Sequence, residues 1–253
     1  MSNVLEISQT GRVLRVALNR PDKRNALNAE LCRELVRVME HAANDPHVGA
    51  VLLAANGKAF SAGMDLLEVG PEHSQELTRV HEQLFTLGAR MVKPLVAAVQ
   101  GAALGGGTGL VANCHVVIAD ENATFGLTEI RLGLWPFLVF RAVSAALGER
   151  RSVSLAITGW TFPASEAREM GLVHEVSADV QNRAMEVAQE IAGWSPTAIR
   201  SGLTFVQQVH GMNWQEAGQV AGRVRNEIFE SADFREGIQA FREKRPPKWP
   251  SLG

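Results

Sequence analysis

The stretch KPLVAAVQGAALGGGTGLVANCHVVIAD, residues 93–120, decides the fold class of this chain. LVAAV has the pattern of a buried strand, QGAALGGG of a turn, TGLVANC of a short helix and HVVIAD of a second strand. From Pro94 to Ala119 there is no Asp, Glu, Lys or Arg, which is long enough to cross a bilayer. The glycine cluster and the polar Asn113 and His115 favour buried elements of an α/β core instead.

Upstream of this stretch, the hydrophobic pattern predicts strands that alternate with helices. VLEIS and VLRVALN alternate around Thr10–Gly11 and predict a β-hairpin. Asn28 is a suitable N-cap for a helix over 29–43, and GAVLLAA predicts a buried strand. A further helix is predicted over 76–91, ending before Pro94. This alternation indicates an α/β fold with partly parallel strands.

Downstream, the pattern becomes mainly helical after about Pro136. Helices are predicted over 140–158, 164–170, 179–192, 196–209 and 213–242, with one short strand at LVHEV. Ser195–Pro196 opens the helical tail. The sequence therefore predicts two parts, a core over 1–195 and a helical C-terminal region over 196–253.

Composition limits the classes of partner. The chain has 253 residues, 46% of them hydrophobic and 21% charged, with a net charge of −2. These values predict a globular protein without a field that attracts nucleic acid or an anionic membrane. Cys32 and Cys114 lie far apart and are interpreted as buried thiols, and no metal site is predicted. The N-terminal MSNVLEISQT does not resemble a signal peptide, so a cytoplasmic location is expected.

Two loops carry the candidate chemistry, FSAGMDL (60–66) and GAALGGGTG (101–109). Each follows a predicted buried strand and places small residues where a helix should begin. Free backbone N–H groups at such turns attract negative charge, and two turns side by side would form an oxyanion hole. Glycines that only allow close packing explain the pattern about equally well. A weaker alternative is a dinucleotide-binding loop, G-x-G-x-x-A over 107–112 with Glu129 as its acidic partner.

Six blocks, taken together, resemble the enoyl-CoA hydratase/isomerase, or crotonase, superfamily. They are NRPDKRNALN (19–28), KAFSAGMDL (58–66), KPLVAAVQGAALGGG (93–107), FGLTEIRLGLWP (125–136), ITGWTFPASEAREMGLVHEV (157–176) and FREGIQAFREKR (234–245). The blocks keep the family's order over nearly the whole chain. The resemblance implies a crotonase-type superhelix, a spiral of ββα turns, with a C-terminal region that serves trimerisation. It further implies a homotrimer or a dimer of trimers.

The resemblance also implies a site for an acyl-coenzyme A thioester, with coenzyme A as part of the substrate and no covalently bound cofactor. The backbone N–H groups of Met64 and Gly106 would form the oxyanion hole, and Glu129 would be catalytic. The residues implied in substrate or coenzyme A binding are Lys23, Arg24, Ala26, Ala62, Asp65, Leu66, Gly105, Trp135, Phe137, Phe241 and Lys244. Solvated surface charge is the ordinary alternative for the three basic residues among them.

The sequence departs from the hydratase pattern at two places. Hydratases of the family have a glutamate where this chain has Gly109, and a glycine where it has the apolar run Trp135-Pro136-Phe137-Leu138. The loss of one positioned acid/base group costs about 10²–10⁴ in rate. The pattern therefore resembles the family's single-glutamate Δ3,Δ2-enoyl-CoA isomerases. Glu129 is predicted to be the single base and acid, with a pKa raised from roughly 4.3 by its apolar surroundings.

Other functions stay open at this point. A hydratase of the fatty-acid β-oxidation type would need a second acid from elsewhere, for which His81, Glu82 and Glu68 are candidates. A low-turnover acyl-CoA binder and a dinucleotide oxidoreductase are further alternatives. Dehalogenase and decarboxylase chemistries of the same superfamily are also possible.

Overall fold

Two sheets form the frame of the molecule, in a computed structural model that describes residues 4–70 and 74–252. The strands are β1 Leu5–Thr10, β2 Val13–Leu18, β3 Ala50–Ala55, β4 Leu95–Val99, β5 Ala102–Leu104, β6 Val116–Ala119, β7 Thr124–Gly126, β8 Thr161–Pro163 and β9 Glu175–Val176. The larger sheet has the order β1-β2-β3-β4-β6-β9, and the smaller has the order β5-β7-β8.

The helices surround these sheets and continue into the C-terminal region. They are α1 Ala29–Asn44, α2 Ser74–Phe85, α3 Leu87–Arg90, α4 Gly106–Ala112, α5 Phe137–Leu147, α6 Glu149–Thr158, α7 Ala164–Met170, α8 Val180–Ala192, α9 Pro196–Gln208, α10 Trp214–Phe229 and α11 Ala232–Glu243. None of the described helices is long and apolar enough to cross a membrane.

The larger sheet is parallel except at its first strand. β1 and β2 form the predicted antiparallel hairpin, and β2, β3, β4, β6 and β9 pair in parallel. Every residue of β3 and β4 is buried, because helices cover both faces of these strands. One face packs in the main core, and the other packs against α8 through Leu52, Ala184 and Ala188. Burial on both faces explains why these strands read as continuous apolar runs.

The smaller sheet connects the two candidate loops. Ser61, in the first loop, forms a parallel bridge with Ala103 of β5. Its N–H donates to the Ala102 carbonyl, and its carbonyl accepts from the Leu104 N–H, at 3.0 and 2.9 Å. The loops that follow β3 and β4 are therefore neighbours at the carboxyl edge of the larger sheet.

Most predicted elements are confirmed, and the predicted α/β fold class is correct. The helix predicted over 76–91 is wrong in extent, because it is divided at Thr86 into α2 and α3. The helices predicted over 140–158 and 213–242 are also divided, at Gly148 and at Ser231, which caps α11. The strands β5, β7 and β8 were not predicted, since three-residue strands show no periodicity. The division into parts at residue 195 stays a prediction.

Candidate active site

The first candidate loop leaves one backbone N–H unused by the sheet. Leu27 pairs with Met64 in a parallel bridge, in which the Leu27 N–H donates to the Gly63 carbonyl at 2.7 Å. The Leu27 carbonyl accepts from the Asp65 N–H at 3.2 Å. The bridge uses the groups on either side of Met64, so the Met64 N–H points away from Leu27. Gly63 has a φ of +87°, a conformation that favours glycine.

The second candidate loop contacts the first. Gly105, with a φ of +52°, precedes α4, and Gly106 is the first residue of that helix. The N–H groups of a first helical turn have no partner within the helix. A β carbon placed on Gly63 would lie 3.2 Å from the Gly106 nitrogen. The Met64 and Gly106 amides therefore belong to two turns packed side by side, as an oxyanion hole requires.

Both turns open into an apolar cavity of about 390 Å³. Its lining residues are Leu27, Met64, Val69, Leu77, Thr78, His81, Phe85, Gly106, Glu129, Leu134, Trp135, Pro136, Phe137, Leu138 and Val139. This volume lies within the range of about 300–1,000 Å³ that is usual for small-molecule sites. A mainly apolar lining with few polar groups is also typical of such sites.

Glu129 brings a carboxylate to the second turn. It starts a short 3₁₀ helix, Glu129–Leu132, which Gly133 ends in a left-handed conformation. A β carbon on Gly105 would lie 3.0 Å from Glu129 Oε1, and Oε2 is buried without a hydrogen-bond partner. Burial raises the pKa of Glu129, as predicted, although a hydrogen bond from its own backbone acts in the opposite direction. The arrangement favours a carboxylate that accepts a proton readily.

The space that a side chain at position 109 would need is filled from a neighbouring helix. This is the position where a hydratase would have its other glutamate. A β carbon on Gly109 would lie 2.5 Å from Val139 Cγ1 and 3.2 Å from Phe85 Cδ1. Val139 belongs to α5, which packs directly on α4. A side chain at position 109 therefore cannot enter the cavity unless these two helices move apart.

Among the three acid candidates on the neighbouring loop and helix, His81 lines the cavity. Its Nε2 lies 3.3 Å from the Leu27 carbonyl oxygen. Burial lowers the pKa of His81, while the Leu27 hydrogen bond and the Glu68 charge raise it. Glu68 instead caps α1, accepting from the Ala29 N–H and the Asn28 amide at 2.9 and 3.0 Å. Glu82 is exposed to solvent.

The loop over 20–28 lies against the first turn. The Ala62 N–H donates to the Arg24 carbonyl at 2.9 Å, and Ser61 Oγ donates to the Asn25 carbonyl at the same distance. Lys23 and Arg24 are exposed and Ala26 is half-buried. These contacts bring the predicted coenzyme A residues of the two segments together. These residues do not line the cavity themselves, but they lie close in sequence to Leu27 and Met64, which do.

Asp65 and Leu66 differ in what they can offer a ligand. The Asp65 carboxylate is buried and accepts from Arg20 Nη1 at 2.9 Å and from the Leu67 N–H at 3.2 Å. Its charge is therefore already paired with that of Arg20. No pattern in the sequence indicated this partner. Leu66 is exposed beside it.

The apolar residues after Glu129 form a wall of the cavity. Trp135 is half-buried and its ring packs on Phe140, with 5.9 Å between the ring centroids. Phe137 lies at the rim and is 72% exposed. The last two predicted residues, Phe241 and Lys244, lie at the end of α11 and do not line the cavity of their own chain.

Sequence reasoning missed most of the opposite wall. Leu77, His81 and Phe85 lie four residues apart on α2 and all line the cavity. Their helical spacing was visible in the sequence, but it did not indicate which space the helix faces.

The two cysteines are not part of this wall. Burial raises the pKa of both Cys32 and Cys114 to about 12, which opposes a nucleophilic role.

Comparisons with known proteins identify the family to which this chain is similar. The family model described as enoyl-CoA hydratase/isomerase matches residues 8–251. The 2,3-dehydroadipyl-CoA hydratase of Escherichia coli is 34% identical over 251 residues, which cover 96% of this chain and 97% of that protein. Enoyl-CoA hydratase EchA19 of Mycobacterium tuberculosis is 32% identical over 264 residues, covering 96% and 95%.

Solved structures show the same fold. The crystal structure of an enoyl-CoA hydratase from Bacillus anthracis superposes with a TM-score of 0.93 at 29% identity, covering 98% of this chain and 99% of that one. The structure of an enoyl-CoA hydratase from Mycobacterium smegmatis gives a TM-score of 0.92 at 29% identity. The match of the family model and the shared fold extend over nearly the whole chain. The chain therefore belongs to the enoyl-CoA hydratase/isomerase family, and it is an enzyme that acts on acyl-CoA thioesters.

Proposed function

We propose that the enzyme moves a double bond, converting a 3-enoyl-CoA into a 2-enoyl-CoA. The observation that carries this proposal is the pairing of Glu129 with an apolar cavity in which Val139 fills the position of a second glutamate. Among the described residues that line the cavity, Glu129 is the one carboxylate. Isomerisation needs a single group that takes and returns one proton, whereas hydration needs two acid/base groups.

The reaction follows from the arrangement of these groups. The thioester carbonyl oxygen accepts hydrogen bonds from the Met64 and Gly106 N–H groups. The Glu129 carboxylate removes a proton from C2, and the electrons of that C–H bond delocalise into the thioester, giving a dienolate whose charge the two amides stabilise. C4 then takes the proton from the Glu129 carboxylic acid as the double bond forms between C2 and C3. Glu129 ends as a carboxylate, so no net proton is gained or lost.

The surroundings of Glu129 support this cycle. Because burial raises the pKa of Glu129, its carboxylate is a stronger base than a solvated one and can also return the proton. Trp135, Phe137 and Leu138 offer no hydrogen-bonding side chain to hold an attacking water, apart from the Trp135 indole N–H. An apolar wall also keeps the charged intermediate away from solvent, which strengthens its interaction with the amides.

Glu129→Gln tests the proposal. The amide keeps the shape of the side chain but cannot accept the proton, so the turnover of 3-enoyl-CoA should fall by about 10²–10⁴. Glu82→Gln, an exposed site on α2, is the matched control and should keep its turnover. Unchanged isomerisation in Glu129→Gln would remove Glu129 from the reaction.

Hydration of a 2-enoyl-CoA is the second candidate function. Two observations favour it: the matched relatives are named as hydratases, and His81 lies in the same cavity as Glu129. With its pKa lowered by burial, a neutral His81 could act as the second acid/base group. Purified enzyme given 2-enoyl-CoA and 3-enoyl-CoA separates the two functions. Hydration that is lost in His81→Gln would support the second candidate, and isomerisation without hydration would support the first.

The proposal includes how coenzyme A is held and how the chains assemble. The exposed Lys23 and Arg24 would bind phosphates of coenzyme A, and Ala26, Ala62 and Leu66 would contact it as well. Phe241, which is 83% exposed, and Lys244 would reach coenzyme A on a neighbouring chain of a homotrimer or dimer of trimers.

Light scattering tests the assembly. Lys23→Gln and Lys244→Gln test coenzyme A binding, since each should raise KM more than it lowers kcat. A cytoplasmic location belongs to the same proposal and is tested by cell fractionation.

A further inference from the structure

A second cavity lies at the amino edge of the parallel strands in the larger sheet, opposite to the edge with the thioester site. It has a volume of about 300 Å³ and is lined in part by Arg12, Lys93 and Arg200. Arg12 directly precedes β2, and Lys93 precedes β4 by two residues, so both lie at the amino edge of parallel strands. The thioester site follows the carboxyl ends of β3 and β4. Since a six-residue strand spans about 20 Å, the two cavities are separated by the depth of the sheet.

The three cations around this cavity have backbone carbonyls as partners and no carboxylate. Lys93 Nζ donates to the Val48 carbonyl at 2.6 Å and to the Asp45 carbonyl at 3.1 Å. Arg12 Nη1 donates to the Pro46 carbonyl at 3.1 Å, and Arg200 Nη2 donates to the Ala43 carbonyl at 3.3 Å. None of the three cations takes part in an ion pair with a described residue.

The three cations differ in burial, since Arg200 is exposed and Arg12 is half-buried. Lys93 is 8% exposed, and Arg12 Nε is buried with no hydrogen-bond partner. Burial lowers the pKa of Lys93, and the charges of Arg200 and Arg12 lower it further, while Asp45 opposes them. Buried charges are normally paired. Here the pairing is incomplete, because the Asp45 carboxylate accepts from the His47 N–H instead.

Asp233, an acidic side chain of the C-terminal region, already has other partners. The Asp233 carboxylate accepts from Ser195 Oγ at 2.5 Å and from the Ser251 hydroxyl and N–H at 2.6 and 3.0 Å. It therefore fixes the C-terminal segment to the start of α9, and it forms no ion pair with the three cations.

The remaining polar lining can bind an oxyanion. Thr197 and Ser201 line the cavity from the first turns of the 13-residue α9, and Ser251 lines it from the C-terminal segment. The positive end of the α9 dipole is at this cavity, since Pro196 is its first residue. The hydroxyls of Ser251 and Thr197 already bond to Asp233, so Ser201 is the lining hydroxyl left to donate. Together with the cations and the helix N-terminus, it matches a tetrahedral oxyanion with several acceptor oxygens.

We propose that this cavity is a binding site for a small phosphate-type anion, either inorganic phosphate or a phosphate monoester, separate from the thioester site. Arg12 and Arg200 provide the charge and the directed donors, and the Ser201 hydroxyl of α9 completes the contacts. Lys93 adds charge but mainly supports the backbone before β3, through its bonds to residues 45 and 48.

Titration calorimetry with inorganic phosphate, in chloride buffer, tests the proposal. Arg12→Gln and Arg200→Gln should each weaken phosphate binding about tenfold or more, since each removes a charge-assisted hydrogen bond. Arg223→Gln, an exposed site on α10, is the matched control and should bind as the parent does. Lys93 is left unchanged, because its loss would free the buried Val48 carbonyl and disturb folding.

Two further arms complete the experiment. Glycerol 3-phosphate in place of phosphate distinguishes the sources, because an ester that binds more tightly identifies a metabolite site and weaker binding identifies free phosphate. Circular dichroism shows whether each variant is folded. No phosphate binding to the parent enzyme would overturn the proposal. So would binding that persists in a folded Arg12→Gln and is lost in Lys23→Gln, since that would locate the anion at the thioester site.

Discussion

The contact between Gly109 and Val139 gives a prediction that can be worked from the structure. A β carbon at position 109 would lie 2.5 Å from Val139 Cγ1 and 2.8 Å from Val139 Cβ. Carbon atoms pack best at about 3.5–4.0 Å, so Gly109→Ala must push α4 and α5 about 1 Å apart. Overpacking costs about 1–3 kcal/mol, and the better helix propensity of alanine returns about 1 kcal/mol. We expect Gly109→Ala to lower the free energy of unfolding by about 1 kcal/mol net.

Val139→Ala relieves part of this contact. Alone it removes two buried methyl groups, at about 0.8 kcal/mol each, and leaves a small cavity, so the loss should be about 2 kcal/mol. In the double variant the new methyl at position 109 occupies the space that Cγ1 has left. The loss of unfolding free energy in the double variant should therefore be smaller than the sum of the two single losses by about 1–2 kcal/mol. A coupling of this size is usual for residues in contact.

Urea unfolding of the parent, the two single variants and the double variant measures this coupling. Gly109→Ala combined with Val13→Ala is the control, since Val13 packs on the other face of the larger sheet and the two losses should add within about 0.5 kcal/mol. Additive losses for Gly109→Ala and Val139→Ala would refute the argument that Val139 fills the position of the second glutamate. If coupling is found, Gly109→Glu in the Val139→Ala background tests whether an added carboxylate increases hydration of 2-enoyl-CoA.

Three other predictions concern single groups of the site. Burial raises the pKa of Glu129 in the folded chain. As the pH rises above the pKa of the unfolded chain, the unfolded chain loses the Glu129 proton first, and the free energy of unfolding falls. Glu129→Gln should therefore be more stable than the parent at about pH 7, with the difference shrinking towards about pH 4 in urea unfolding. Asp65→Asn should lower the free energy of unfolding by about 3 kcal/mol, since it leaves the mostly buried Arg20 unpaired; a loss below 1 kcal/mol would contradict this. Gly63→Ala should lower kcat about 10²-fold, because the new methyl lies 2.7 Å from the Leu104 carbonyl oxygen and 3.2 Å from the Gly106 nitrogen, and so displaces the turn that holds an oxyanion donor. A folded Gly63→Ala with full turnover would exclude that donor.

Local signals in the sequence predicted the turns and caps of this protein well. Asn28 accepts from the Leu31 N–H as the N-cap of α1, because this choice depends on neighbouring residues alone. The hairpin turns at Gly11–Arg12, one residue beyond the predicted Thr10–Gly11. The positions of Met64, Gly106 and Glu129 in one site followed from whole-chain resemblance, and the geometry of the two turns explains why they meet.

What the sequence by itself determined is therefore the order of elements, the glycine turns and the presence of one glutamate after the second turn. Only the tertiary structure decided that Val139 fills the space beside Gly109, and that Leu77, His81 and Phe85 line the same cavity as Glu129. It also brought Arg12, Lys93 and Arg200 around a second cavity. The physical reason is that burial, excluded volume and the pairing of charge depend on atoms far apart in the chain, which no local pattern of residues specifies.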